Sequence, residues 1–165
     1  VHSFPPVVDG RSRLLILGSM PGAVSLKAHQ YYGHPRNHFW PILYALFGGG
    51  EPDAEYERRL EFALSNRIAL WDTLASCVRE GSLDANIKDE VPNDIPGLLR
   101  RFPGIQTIVC NGAKSHSALL KHHGGCPEMS CRTILRMPST SPVPTPHFRN
   151  LQDRLEVWKT IRVYV

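Results

Sequence analysis

Four short runs in this chain are apolar through their centres instead of alternating with polar residues. They are RLLILGS (residues 13–19), RIALWD (67–72), QTIVCNG (106–112) and RTILRMPS (132–139). A strand open to water on one face alternates; an unbroken apolar centre of this length predicts a strand covered on both faces, as in a parallel sheet. Elsewhere the period lengthens to that of a helix. HFWPILYALF (38–47) spaces Phe39, Ile42, Leu43, Leu46 and Phe47 along one side, with Asn37 placed to cap it and Pro41 tolerable in its first turn. DAEYERRLEFALS (53–65) is amphipathic with its acids early. NDIPGLLRRF (93–102) predicts a shorter helix, and AKSHSALLKHH (113–123) one that stops at Gly124-Gly125, with His122 and His123 as its solvated end. NLQDRLEVWKTIR (150–162) closes the chain with Leu151, Leu155, Trp158 and Ile161 on one stripe.

Strands alternating with helices predict an α/β fold, here a three-layer α/β/α sandwich around a central four-stranded, mostly parallel sheet. No repeat, low-complexity tract or linker divides the chain, so residues 1–165 form one expected domain. Ligands of open parallel sheets bind outside the carboxyl ends of the strands. That rule brings four segments together: residues 18–37, the chain from Asp72 onward, Asn111-Gly112, and residues 138–146.

Composition narrows the class. Hydrophobic residues make up 42% and charged residues 21%, ordinary for a globular protein. No apolar run approaches the roughly 18 residues that span a membrane, so a soluble, intracellular, cytoplasmic protein is expected. The net charge of +4 permits a polyanionic partner without requiring one. Four cysteines stand at 77, 110, 126 and 131 with no Cys-x-x-Cys pair, and no metal site or cofactor is expected. Cys77 and Cys110 are expected as buried thiols. Cys126 and Cys131 flank an expected loop and are candidates to pair under oxidation.

Chemistry concentrates in the four convergent segments. GSMPG (18–22) is a sharp preset turn whose amides can face a phosphate or a base edge, or which simply ends a strand. It is neither a Walker A loop nor a dinucleotide fingerprint. YYGHPRNHFW (31–40) offers rings for stacking and basic groups, with Phe39 and Trp40 expected to pack and at least one tyrosine to act. PSTSPVPTP (138–146) is a proline-stiffened loop whose Ser139, Thr140 and Ser141 hydroxyls can clamp phosphates. Asp72 ends an apolar strand in a carboxylate, which suits a ligand partner or a cap. REGSLDANI (79–87) adds Arg79, Ser82 and Asp84, for nucleic-acid contact or for capping.

Taken together, GSMPG with the following SL, YY.HPRN.FW, ALWD.L.SC.REGSLD..I, the NG after the third strand and PSTSP resemble the uracil-DNA glycosylase superfamily. The nearest resemblance is to its hypoxanthine-DNA glycosylase (deoxyinosine glycosylase) branch. It covers nearly the whole chain and implies the sheet inferred above. It also implies a monofunctional DNA glycosylase of base-excision repair, hydrolysing the N-glycosidic bond of a flipped deaminated base, hypoxanthine first, and leaving an abasic site. The partner implied is DNA containing such a base, and the enzyme is expected to be a monomer. A uracil- or mismatch-specific glycosylase, and a non-catalytic damaged-DNA binder, are the alternatives.

The resemblance assigns roles residue by residue. Many superfamily members carry Asn or Asp where Met20 stands, and a thioether cannot polarise water. The branch resembled places its key amide in HPRN, which makes Asn37 the expected catalytic residue. Tyr32 is the expected stacking ring. Gly18, Ser19, Met20, Asp72 and Asn111 are expected around the base, with Asp72 reading its edge. Ser25, His34, Ser139, Thr140 and Ser141 are expected against DNA. Met137 replaces a histidine common in relatives, and residues 142–146 are the candidate wedge. No lysine stands where Schiff-base chemistry would need one.

Overall fold

A computed structural model describes residues 1–165. Its strands are β1 (Leu14–Gly18), β2 (Ile68–Asp72), β3 (Leu74–Val78), β4 (Lys88–Pro92), β5 (Thr107–Asn111) and β6 (Thr133–Met137). Its α-helices are α1 (Ala23–Ala28), α2 (Phe39–Phe47), α3 (Tyr56–Ser65), α4 (Ile95–Arg101), α5 (Ala113–His123), α6 (Pro127–Ser130) and α7 (Leu151–Trp158).

The four apolar runs form one sheet in the order β2-β1-β5-β6, with every neighbouring pair parallel. Side chains along a strand alternate between faces, and here both faces are covered. Leu14 and Ile16 pack with Phe39, Leu43 and Trp158 of α2 and α7. Leu15 and Leu17 pack with Leu98, Leu99 and Leu119 of α4 and α5. That is why β1 carries no polar residue, and it makes the expected sandwich.

The connections hold the departures. The hairpin of β3 and β4 forms a separate antiparallel pair that the apolar pattern does not predict, because its β4 sequence, KDEVP, is largely charged. It docks through Glu90, which accepts from Lys114 Nζ at 2.7 Å and lies 2.8 Å from His122 Nε2. His123 Nε2 meets Asn93 O at 2.9 Å. His122 and His123 are therefore docking groups and not a solvated helix end.

Helix α1 lies inside the stretch that reads as a connection, and α6 separates Cys126 from Cys131, both free thiols. Cys77 and Cys110 are buried. Helix α3 starts later than its pattern because Asp53 accepts the Tyr44 hydroxyl at 2.7 Å instead of entering the helix. Helix α7 ends at Trp158 and continues as 3-10 turns over Lys159–Tyr164. The N-terminal segment shields the β2 edge through a Val7–Leu70 bridge and a 3.0 Å bond from Trp71 Nε1 to Phe4 O. No helix is long and apolar enough to cross a membrane.

Candidate active site

The chain order reverses direction between β1 and β5, since β1 leads outward to β2 and β5 outward to β6. That switch opens a crevice at the carboxyl ends of the strands. Gly18 faces Asp72 in register there, and Asn111 faces Met137. A cavity of about 610 Å³ occupies the crevice. Every site residue named from the sequence lines it: Gly18, Ser19, Met20, Ser25, Tyr32, His34, Asn37, Asp72, Asn111, Ser139, Thr140 and Ser141.

The GSMPG turn forms one wall. A Cβ on Gly18 would lie 2.5 Å from Asp72 Oδ1 and 3.3 Å from the Tyr32 hydroxyl, so this position must stay bare for those groups to converge. Met20 is buried and packs on Leu74, Cys77 and Ala118, which makes it a plug beneath the turn as well as part of the cavity wall. Ser19 Oγ donates to Asp84 Oδ1 at 2.6 Å, and Asp84 also meets Arg79 at 3.8 Å. Arg79, itself buried, donates to the Pro21 carbonyl. Ser82 Oγ accepts the Ala23 amide at 2.8 Å and so caps α1 from another loop. The 79–84 segment is thus a brace across the turn, and it also places Ser82, Leu83 and Asp84 on the cavity wall.

The next wall is the chain from Tyr31 to Phe39. The two tyrosines divide their work. Tyr31 is buried, with its hydroxyl donated to Pro5 O at 2.7 Å. Tyr32 has a left-handed backbone, φ 55°, which an aromatic residue adopts only under constraint. Its ring stacks on Phe39 at 3.9 Å, and its buried hydroxyl has no hydrogen-bond partner. Ser25 Oγ accepts the Gly33 amide at 2.9 Å, so this hydroxyl ties α1 to the turn as well as lining the cavity. His34 Nδ1 accepts the Arg36 amide at 3.0 Å.

Asn37 sits one residue before the cap position, which His38 occupies. Its Oδ1 accepts the Phe39 amide at 2.9 Å. That donor requires an oxygen on its side of the amide, so the Nδ2 donors are the ones left unpaired at the cavity.

The hydroxyl loop is held from behind. Gly112, at φ 97°, lets β5 turn into α5 while a Cβ there would come within 3.3 Å of Ser139. Asn111 Nδ2 donates to Thr140 Oγ1 at 3.0 Å, and its Oδ1 accepts the Thr140 amide at 3.0 Å. Thr140 O accepts the His38 amide at 2.9 Å. Thr140 is 1% exposed, so its hydroxyl is a fastening within the loop and not the surface phosphate clamp expected. Ser139 is exposed and Ser141 half-buried, and both also accept amides of their own loop.

Arg154 of α7, 1% exposed, donates to the carbonyls of Ser139, Asn150, Ser141 and Val143 at 2.8–3.1 Å. Trp158 Nε1 adds a 2.9 Å bond to Pro138 O. Val143 is left 54% exposed between two prolines at the cavity rim.

Electrostatics set Asp72 apart. It is 3% exposed, and its Oδ2 has no hydrogen-bond partner. Burial, reinforced by the Asp84 carboxylate and opposed by Arg79, pushes its carboxyl up to about 7. Burial and Asp72 raise the Tyr32 phenol above its ordinary range. Beside the cavity, a groove of about 710 Å³ shares Arg36, Asn37, Pro142 and Val143 with it and adds His38 and Arg149. Desolvation, and then Arg154, lower the His38 pKa.

This arrangement can enclose one planar polar group and hold a polyanionic strand outside it. A model of the uracil DNA glycosylase superfamily matches residues 5–162. The chain belongs to the uracil DNA glycosylase superfamily. Two curated relatives from Methanosarcina are named hypoxanthine DNA glycosylase. The M. barkeri protein is 45% identical over 114 residues, 69% of this chain and 72% of that one. The M. acetivorans protein is 42% identical over 114 residues with the same coverage, 69% and 72%. A solution NMR structure from M. acetivorans, of a protein provisionally described as a uracil DNA glycosylase, aligns with TM-score 0.79 and 34% identity. It covers 98% of this chain and 95% of that one.

As a superfamily member the protein is a DNA glycosylase, a hydrolase of N-glycosyl bonds whose substrate is DNA. Against that background the missed residues are mostly supports. Arg154 had a signal: it falls on the buried line that runs through Trp158 of α7 to Ile161 of the 3-10 turns, and a lone cation on a buried line needs acceptors. Arg36 and Val143 had none beyond their place in loops already singled out.

Proposed function

We propose that this glycosylase removes hypoxanthine from DNA by hydrolysis and leaves an abasic site. The observation that carries the reading is the Asn37 amide. Its oxygen is fixed by the Phe39 amide and its Nδ2 donors are unspent, and it lines the same cavity as Asp72 and Tyr32. The names of the Methanosarcina relatives support the base assigned.

The base leaves the duplex to reach a cavity of this depth. Tyr32, stiffened by Phe39, provides the stacking wall, and the bare Gly18 admits the base edge toward Asp72. Ser139, Ser141 and His34 hold the flanking backbone at the rim, and Arg36 and Arg149 draw the strand along the adjoining groove. As the bond from sugar C1′ to N9 breaks, its electron pair leaves with the base and positive charge grows on the sugar. Asn37 donates to the departing base or holds the water whose oxygen adds to C1′ and whose spare proton neutralises the departing base anion; an amide does this without titrating near neutral pH. All these groups come from one chain, which suits a monomer.

The test is a duplex with a single deoxyinosine, incubated with protein and then treated with alkali, beside matched uracil and xanthine duplexes. Strand cleavage fastest at deoxyinosine is expected. Cleavage at uracil alone reassigns the base, and binding without cleavage of any duplex removes the catalytic reading.

A further inference from the structure

Two carboxyl groups stand at the cavity, and their surroundings are opposite. Asp84 is partly exposed and well supplied with donors: Ser19 Oγ at 2.6 Å and the Arg79 guanidinium at 3.8 Å. Asp72 is nearly sealed, its Oδ2 is unpartnered, and no cation pairs with it. Arg79, the cation whose charge opposes the shift, is spent on Asp84 and on the Pro21 carbonyl.

The other titratable groups facing Asp72 are phenols. Tyr32 ends in a buried, unpartnered hydroxyl, and Tyr31 and Tyr56 are the other two phenols electrostatically coupled to Asp72. Neighbours from β1 and β5, Gly18 and Asn111, carry no charge. Two acids that interact in this way do not both ionise readily, and burial without a paired cation disfavours the charge on Asp72.

We propose that Asp72 works as a neutral carboxylic acid, held protonated by its burial without a cation and beside a second acid, Asp84, and that it recognises an uncharged base edge with an N–H next to a carbonyl. A protonated carboxyl offers a donor beside an acceptor. The C6 carbonyl and N1–H of hypoxanthine match it with two hydrogen bonds, as do the C4 carbonyl and N3–H of uracil. A carboxylate offers acceptors alone and repels the carbonyl.

The inference rests on the glycosylase reading of the cavity and adds to it a protonation state and a ligand class. The raised carboxyl pKa, about 7, agrees with the geometry. The free enzyme then loses its competent form as pH rises, and kcat/KM falls by about tenfold per pH unit above that value.

The experiment compares wild type, Asp72→Asn and Asp84→Asn on the deoxyinosine duplex from pH 6 to 8.5. The amide of the Asp72→Asn variant carries a permanent donor and acceptor. The ratio of D72N to wild-type kcat/KM is expected to rise at least about tenfold across that range. The substrate's own N1–H titrates equally for both enzymes and cancels in the ratio. D84N removes the charge that holds the proton on Asp72, so its alkaline fall is expected at lower pH than in wild type. A ratio that stays flat, with D72N inactive throughout, overturns the proposal and makes the carboxylate the working form.

The Asp72 carboxyl carbon is also titrated by NMR in wild type, with D72N assigning the signal. A midpoint near 7 supports the proposal and one near 4, the ordinary carboxylate range, overturns it. Absence of cleavage at every pH, with a midpoint near 7, removes the glycosylase reading while leaving the neutral acid standing.

Discussion

Asn111 and Thr140 exchange two hydrogen bonds of 3.0 Å, side chain to side chain and side chain to backbone. The pair joins the end of β5 to the loop after β6. It spends much of the hydrogen-bonding capacity that would otherwise mark Asn111 as a reader of the base. Asn111→Ala also strands a buried Thr140 amide. We expect a loss of about 2–3 kcal/mol in urea denaturation, against about 1 kcal/mol for Thr140→Val. The double variant should cost about 1 kcal/mol less than the sum of the two. If N111A keeps its stability and loses only cleavage, Asn111 is a base contact and not a fastening.

Arg154 makes the same loop rigid from its other side. It is a buried guanidinium satisfied by four backbone carbonyls. Lysine has neither the planar fork nor enough donors to replace it. Arg154→Met should destabilise by about 3–5 kcal/mol by leaving those carbonyls without partners. Arg154→Lys should fall between Arg154→Met and wild type. Amide hydrogen exchange at residues 139–143 is expected to accelerate in both variants. Unchanged exchange there would sink the idea that α7 sets the loop.

These supports explain how far the sequence could be read. The four strands and the site edge were legible because burial on both faces leaves an unmixed apolar run, and topology then places its ends. Asp72 was legible as a polar terminus on such a run. Helix α1 was not, since it is short, capped by Ser82 from a distant loop, and follows two glycines and a proline. The β3–β4 hairpin was hidden because its stability comes from Glu90 meeting α5 instead of from alternating apolar positions. Thr140 looked like Ser139 and Ser141, and only the folded partner Asn111 turns it inward.

Asn37 combines a structural bond with an unspent donor, and the two separate by substitution. Asn37→Asp keeps the oxygen that accepts the Phe39 amide and loses the Nδ2 donors. Asn37→Ala loses both. Single-turnover cleavage should fall at least about 100-fold in each, the scale for removing a hydrogen-bonding group at the reacting centre. Only N37A should lose about 1 kcal/mol of stability, the worth of a helix-terminal side-chain acceptor. DNA binding survives in N37A. A retained rate in either variant dismisses Asn37 from the chemistry.

Val143 is an exposed aliphatic group on a backbone pinned by Arg154 and flanked by Pro142 and Pro144. A rigid apolar side chain at the cavity rim suits the space an extruded base leaves in the stack. Val143→Ala should slow cleavage of duplex deoxyinosine by about tenfold while altering single-stranded substrate little, because only the duplex must be unstacked, at a few kcal/mol. Equal slowing on both substrates argues against a wedge.

Glu90 gives the hairpin its acid sensitivity. Lys114, then His122 and Lys121, hold its carboxyl at about 2, against a desolvation that pushes the other way. A carboxyl lowered on folding contributes stability that is complete above its unfolded value near 4.5 and is lost as pH falls from there through about 2. With its side chain 13% exposed, solvent screening trims the effect, and about 2–3 kcal/mol is expected at neutral pH. Glu90→Gln should therefore be less stable than wild type by that amount at pH 7, with the gap closing as pH approaches 2. Urea denaturation across this range measures it. A gap that does not change with pH would mean that the charge on Glu90 contributes nothing and that its side chain acts through contacts its neutral form also makes.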